Sequence, residues 1–448
     1  MEKRKFGIRD LFGYAMGDFG CNMCFALVTN YMMLYYTQYI GLKMTDWAWI
    51  IIVGKVWDAI NDPIIGSMVD NVRISKKSKF MPWITIGGFA LIFTTTVAFI
   101  PIQNASYTFK VVFCLVAYCL WSVAYTLANV PYGALHSSIT DVPKERTNLS
   151  TFRSIGAGLA QGPLMLLPLF VYNKKNELLG ERFIYIALIC TILGFIGFTL
   201  VRVLVTERVH IETEKKKFNY INTIKGFFKN KPLLAATIVT FVQVICFMSM
   251  VSVNAIIFQT YFKNAKLVTV VNFIAYIPLV VLIPFIGKIT QKIGKKGITV
   301  IAAAIGSVTG LVSIFLPLKP EAISSVPIWI VCLMLFYISN AVFNILVWAM
   351  VVDCIDYQYE QTGSRDEGSI YALYSFFRKL AQGVGSALSA LALSACGYVE
   401  ELGANQTAQT ALNIKNMYLY FMFGGAVITY LVMKFMYNIN EKETDKNR

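Results

Sequence analysis

Two carboxylates four residues apart, Asp58 and Asp62, stand in the apolar run Val56-Trp57-Asp58-Ala59-Ile60-Asn61-Asp62-Pro63. On a helix this spacing stacks both side chains on one face, a turn apart. Like charges that close repel, and a bound monovalent cation or a proton relieves the repulsion. Oxygen ligands suit a hard cation such as sodium, and a desolvated carboxylate beside another gains proton affinity, so the pair could hold either. Pro63 frees a backbone carbonyl near the pair. The alternative is a structural role in which both acids pair with Lys55 or with bases on another helix.

Asp18 lies in Gly13-Tyr14-Ala15-Met16-Gly17-Asp18-Phe19-Gly20, where a carboxylate can accept hydrogen bonds from hydroxyl groups. Arg153, Arg378 and Lys379 are its available counter-charges. The run Tyr125-Thr126-Leu127-Ala128-Asn129-Val130-Pro131-Tyr132-Gly133 combines amides, hydroxyls and planar rings, which suits a wall that stacks and hydrogen-bonds a sugar. Asp353 and Asp356, with Arg365 and Glu367 nearby, and Asp141, Glu145 and Arg146, form two charged clusters suited to a gate of ion pairs.

These charges sit in a chain that is otherwise strongly apolar. Of its 448 residues 56% are hydrophobic and only 15% charged, and the mean hydropathy is +0.59, so lipid must be its main solvent. About twelve stretches reach the roughly 20 residues that a helix needs to cross a bilayer. They are expected near 9–40, 45–70, 81–102, 108–136, 150–172, 183–205, 232–261, 267–287, 297–318, 325–352, 368–396 and 412–437. An ionised group inside such a span is costly, which makes each of the acids above a functional candidate.

The formal charge of +15 would suggest nucleic acid in a soluble protein, but most of the basic residues fall on alternate connections. The positive-inside rule then places both termini in the cytoplasm, and the basic excess is a topology signal. Lys55, Arg153, Arg378 and Lys379 are the basic residues left within spans. The nine cysteines fall almost entirely in apolar runs, so no disulfide is expected and Cys21 and Cys24 read as packing. Basic residues Lys3 to Arg9 precede a long helix with no small-residue cleavage site, so no signal peptide is expected. With only His136 and His210, no nucleophile elbow and no metal-ligand cluster, the chain does not read as an enzyme.

The long connection near Thr206 to Lys231 divides the spans six and six. The expected organisation is a bundle over 1–205, a linker over 206–231, a second bundle over 232–437 and a tail over 438–448. A loop pattern recurs in both halves: Gly66-x-x-x-Asp70 with Arg73, Lys76 and Lys77, then Gly287-x-x-x-Gln291-Lys292-Ile293-Gly294-Lys295-Lys296. This supports an all-α integral membrane protein of the major facilitator type, two six-helix bundles around a central cavity.

The residues then resemble a family, the glycoside-pentoside-hexuronide:cation symporters, the melibiose permease-like branch of the major facilitator superfamily. The resemblance rests on Gly17-Asp18-Phe19, Trp57-Asp58-Ala59-Ile60-Asn61-Asp62-Pro63, Lys79-Phe80-Met81-Pro82-Trp83, Val130-Pro131-Tyr132, Arg146, Arg153 and Val352-Asp353-Cys354-Ile355-Asp356-Tyr357 through Gly363-Ser364-Arg365 to Lys379. It implies a monovalent-cation site at Asp58, Asn61, Asp62 and Thr126. Substrate contacts are expected at Asp18, Asn22, Tyr125, Asn129, Arg153, Asn344 and Lys379, and a gate at Arg146, Asp353, Asp356 and Arg365. Melibiose permease has Lys at Gly17, Asp at Asn129, and Trp at Gly133 and Asn344, so galactoside specificity does not carry over.

The function implied is symport of a glycoside, an oligosaccharide or a related sugar with sodium or a proton by alternating access, without a cofactor, in a bacterial inner membrane. The small-molecule sugar, the monovalent cation and the lipid bilayer are the expected partners, nucleic acid is not, and the monomer is expected to suffice. A carrier of hexuronides, organic anions or lysolipid-like substrates is the alternative. A transport-dead membrane sensor is the remaining one.

Overall fold

The computed structural model describes residues 4–75, 78–209, 227–322, 324–362 and 367–439, and almost all of them are helical. In chain order the helices are α1 (Ile8–Leu34, continued by a π-turn over Tyr35–Tyr39), α2 (Met44–Asn71), α3 (Met81–Ala98), α4 (Tyr107–Ile139), α5 (Pro143–Met165), α6 (Leu167–Val171), α7 (Arg182–Leu204), α8 (Lys231–Thr260), α9 (Leu267–Phe315), α10 (Ser325–Thr362), α11 (Glu367–Ala395) and α12 (Ala408–Phe435). The chain divides into two compact units, Met1–Lys215 and Lys216–Arg448.

Among the described residues nine helical stretches are long and apolar enough to cross a membrane, which makes this a multi-pass membrane protein. The expected spans near 45–70 and 368–396 form helices, α2 and α11, that are not among these nine. Lys55, Asp58 and Asp62 lie in α2, and Arg378 and Lys379 in α11. The spans expected at 267–287 and 297–318 are the two arms of α9, which is broken at Gly294 (φ 76°, ψ 163°). That backbone geometry is essentially restricted to glycine.

Two helices extend beyond the expected limits. Helix α10 runs on past 352 to Thr362 because Cys354 and Ile355 are buried in the core of the second unit. Helix α5 starts at Pro143 rather than near 150, proline being well suited to a first turn because it lacks the N–H that would go unsatisfied there. Both charged clusters of the expected gate therefore lie wholly or partly on helix.

In the first unit α1 packs on α5 and α7, α3 packs on α4 and α7, and α2 lies along α4. One end of this unit is held by charge. Asp10 is fully buried and accepts from Arg208 Nη2 at 2.9 Å, from Arg4 Nη2 at 2.9 Å and from the Thr206 amide at 3.1 Å. Glu207 accepts from the Lys79, Phe80 and Met81 amides at 2.9–3.1 Å. It thus satisfies donors that the start of α3 leaves open. These two acids tie the segment after α7 to the ends of α1 and α3.

The second unit is built on α9 packed against α10 and α12, with α8 against α11 and α12. Asn230 caps α8 through Leu233 N at 3.0 Å and donates to Cys354 O at 2.9 Å, which fixes α8 to α10. Around that joint Phe227, Leu233, Met350, Tyr374, Met433 and Tyr437 form a buried cluster.

Candidate functional site

The packing of α2 along α4 turns the two acids into rungs of a ladder. Ser122 and Thr126 are four residues apart on α4, as Asp58 and Asp62 are on α2, so one pair of turns meets the other. Ser122 Oγ donates to Asp58 Oδ1, and Thr126 Oγ1 donates to Asp62 Oδ1 at 2.7 Å. The Lys55 ammonium lies 2.8 Å from Asp58 Oδ2 and also meets the Tyr118 hydroxyl. Both Asp58 oxygens are thus engaged. Between the rungs Asn61 is 7% exposed, and its Nδ2 is buried without a hydrogen-bond partner among the described residues. The sequence anticipated Asp58, Asn61, Asp62 and Thr126; it missed Ser122, whose signal was the matching four-residue spacing of hydroxyls.

A second polar centre forms where α1, α4 and α5 converge. Asp18 is 6% exposed, and of its three available counter-charges it takes Arg153, with Nε donating to Oδ1 at 3.2 Å. The Arg153 guanidinium lies 5.4 Å from the centre of the Tyr132 ring, and that ring stacks on Tyr14 at 4.7 Å. Such an aromatic floor lowers the cost of holding a guanidinium away from water.

Gly17 is what lets Tyr132 approach. A β-carbon there would stand 2.4 Å from Tyr132 Cε2 and 2.6 Å from Val201 Cγ2, so the lysine that melibiose permease carries at this place has no room here. Asn22, one turn beyond Asp18, is spent on its own helix, with Nδ2 donating to the Asp18 carbonyl at 2.8 Å. Tyr125 packs on Phe25 and Trp121, with ring centres 4.9 and 5.6 Å apart. Asn129 is half-buried one turn along α4.

The second unit has a cavity of about 320 Å³. Its polar lining comes from Gln243 on α8, Asn340 and Asn344 on α10, and Arg378 and Gln382 on α11; Phe247, Tyr276 and Tyr337 supply rings. Asn344, anticipated from the sequence, donates from Nδ2 to Asn340 Oδ1 at 2.6 Å. Lys379, also anticipated, is exposed and does not line this cavity; its neighbour Arg378 does.

Buried acids and amides in membrane-crossing helices, with an aromatic-walled cavity, suit binding of a polyol and offer no covalent machinery. Residues 13–441 match the family described as MFS/sugar transport protein. The chain belongs to this family. It is 30% identical over 446 residues to the symporter YjmB of Bacillus subtilis (strain 168), covering 98% of this chain and 94% of that one. It is 26% identical over 444 residues to the glucuronide carrier protein homolog of Escherichia coli (strain K12), covering 97% and 93%. The crystal structure of a D-xylose-proton symporter superposes with a TM-score of 0.65 at 14% identity, covering 96% of this chain and 97% of that chain, and so shares the fold.

The chain is therefore an all-α major facilitator transporter in the melibiose permease-like branch, a secondary carrier of sugar-like molecules and not an enzyme. Of the residues expected to gate, Asp353 and Arg146 each have a partner within their own unit. Asp353 is 3% exposed and pairs with Lys295, one residue past the Gly294 break. Arg146 donates from Nε to the Thr140 carbonyl at 2.9 Å. Asp356 is half-buried, and Arg365 lies outside the described residues. Lys295 was missed as a partner for Asp353, although it stood in the repeated basic loop that the sequence displayed. Among the described residues no three His, Cys, Asp or Glu side chains cluster as a polyvalent metal site would require.

Proposed function

We propose that this transporter carries a glycoside or related sugar together with a monovalent cation, sodium or a proton, by alternating access. The observation that carries the reading is the ladder between α2 and α4. Asp62, with the Thr126 hydroxyl at 2.7 Å and buried Asn61 beside it, is the acid assigned to the incoming cation. A sodium ion there would draw on carboxylate, hydroxyl and amide oxygens, the donor set a hard cation prefers. A proton would neutralise the same carboxylate.

Substrate is assigned to the Asp18–Arg153 centre, where an acceptor and a fixed donor stand over tyrosine rings, with Tyr125 and Asn129 as further contacts. Sugars are bound by this combination of bidentate polar groups and planar faces. Filling Asp62 lowers the cost of its charge in the helix core, so that cation and sugar together favour the states that exchange. An inward cation gradient then supplies about 2.3 kcal/mol per charge per 100 mV from the potential alone.

The distribution of Lys and Arg along the sequence supports a bacterial cytoplasmic membrane with both ends inside. The test is counterflow of a labelled panel of neutral glycosides and sugar acids into proteoliposomes of the purified full chain, with sodium varied at fixed pH. Counterflow of at least one sugar, and its accumulation when a sodium or proton gradient is imposed, is the expected result. Binding of a sugar with no flux would make the protein a sensor and overturn the proposal.

A further inference from the structure

Lys415 is a charged residue that neither the ladder nor the Asp18–Arg153 centre uses. It lies about two turns into α12 and is only 5% exposed. Among the described residues its ammonium makes no ion pair and no hydrogen bond; it stands 5.8 Å from the centre of the Tyr261 ring. Glu321, whose amide donates to the Tyr261 carbonyl at 3.0 Å, is exposed and does not pair with it. A buried ammonium without a counter-ion is costly, and one ring face offsets only part of that cost.

The side chains around Lys415 close a circuit within the second unit. Tyr261, just past the end of α8, meets Phe262 at 5.3 Å between ring centres, Phe262 meets Trp329 of α10 at 5.5 Å, and Trp329 meets Tyr418 at 5.3 Å. Tyr418 is three residues after Lys415, on the same face of α12, so the chain of contacts returns to its start. All four rings are buried. Trp329 Nε1 is buried too and has no hydrogen-bond partner among the described residues. The Tyr261 hydroxyl is spent on the Leu318 carbonyl.

This circuit therefore holds open donors on an ammonium and an indole, neither of which can accept. A water molecule could take up the donors, but the positive charge would stay unbalanced. Ring edges carry partial positive charge and also suit an anion. Rings packed this closely leave room for a monoatomic ion, and an apolar setting favours a singly charged one because the desolvation cost rises with charge.

We propose that the second unit binds a halide, chloride in kind, between the Lys415 ammonium and the Trp329 indole N–H, where it clamps α12 to α10 and to the end of α8. The cavity of about 300 Å³ that Phe262 also lines, with Lys263 beside it, is the approach to the ion.

The test measures the melting temperature of the detergent-purified full chain as sodium acetate is replaced by sodium chloride or sodium bromide at constant sodium and pH. Wild type should gain about 2–4 °C in a saturable way with either halide, as a ligand that binds the folded state does. Lys415→Met should lose the gain. Trp329→Phe, which removes the N–H and keeps the ring, should raise the half-saturating chloride concentration about tenfold, the effect of losing a hydrogen bond to a charged group. Crystals of the wild-type chain grown in bromide should show an anomalous peak beside Lys415 Nζ, which locates the ion whether or not the variants fold.

A wild-type melting temperature that halides do not raise beyond acetate overturns the proposal. So does a halide gain that survives in Lys415→Met, because the ion would then sit elsewhere. Bromide peaks that avoid Lys415 overturn it as well, and an unchanged half-saturating concentration in Trp329→Phe removes the indole from the site as proposed.

Discussion

The Lys55 ammonium nitrogen lies 2.8 Å from Asp58 Oδ2, three residues along the same helix, so one of the two stacked acids of α2 already has a cation covalently attached to the protein. With Ser122 donating to the other oxygen, Asp58 is balanced before any ion arrives. Asp58 and Lys55 thus form a pair within one helix.

This pairing predicts non-additive mutations. Lys55→Met leaves Asp58 unbalanced and should lower the initial uptake rate about tenfold, whereas Lys55→Met with Asp58→Asn should recover to near the level of Asp58→Asn alone, as expected when an ion pair is removed as a unit. Uptake by the two single variants and the double variant in proteoliposomes checks this. Losses that simply multiply would show that the pair does not act together.

The Asp18–Arg153 pair, at 3.2 Å, leaves acceptor and donor capacity for a ligand on both partners. Asp18→Asn and Arg153→Gln should each weaken sugar binding by about tenfold or more, the effect of losing a hydrogen bond to a charged group. Equilibrium binding of a transported sugar to the purified variants measures it. Unchanged affinity in both would remove this centre from the substrate site.

Gly17 should tolerate little. Its substitution by alanine sets a methyl group 2.4 Å from Tyr132 Cε2, and the overpacking should cost about 1–3 kcal/mol. Thermal unfolding in detergent should show a clear fall in midpoint for Gly17→Ala. A midpoint equal to that of wild type would mean that Tyr132 is free to move aside, taking the floor beneath Arg153 with it.

Much of this was legible from residue spacing. The Asp58 and Asp62 stack follows from helical periodicity alone, and the membrane spans follow from long apolar runs. Ser122 escaped notice because it matters only once α2 lies along α4, a tertiary relation that no local pattern encodes. Asp18 had three possible counter-charges in the sequence, and only the convergence of α1 with α5 selects Arg153. Arg378 and Lys379 are adjacent, about 100° apart around a helix, so which of them faces a cavity depends on how α11 is rotated. That angle is set by packing and not by composition. The break at Gly294 was visible as a glycine in a basic loop, but the pairing of the next residue, Lys295, with Asp353 depends on how α9 lies against α10.

The most direct test compares two fluxes through the same protein, gradient-driven accumulation and equilibrium counterflow, in wild type and Asp62→Cys. The wild-type chain should concentrate its sugar when a sodium or proton gradient is imposed. Asp62→Cys should lose that accumulation while some downhill exchange survives, because it would still bind and carry the sugar but no longer couple it to the ion. Undiminished accumulation by Asp62→Cys would contradict the assignment of Asp62 as the coupling acid.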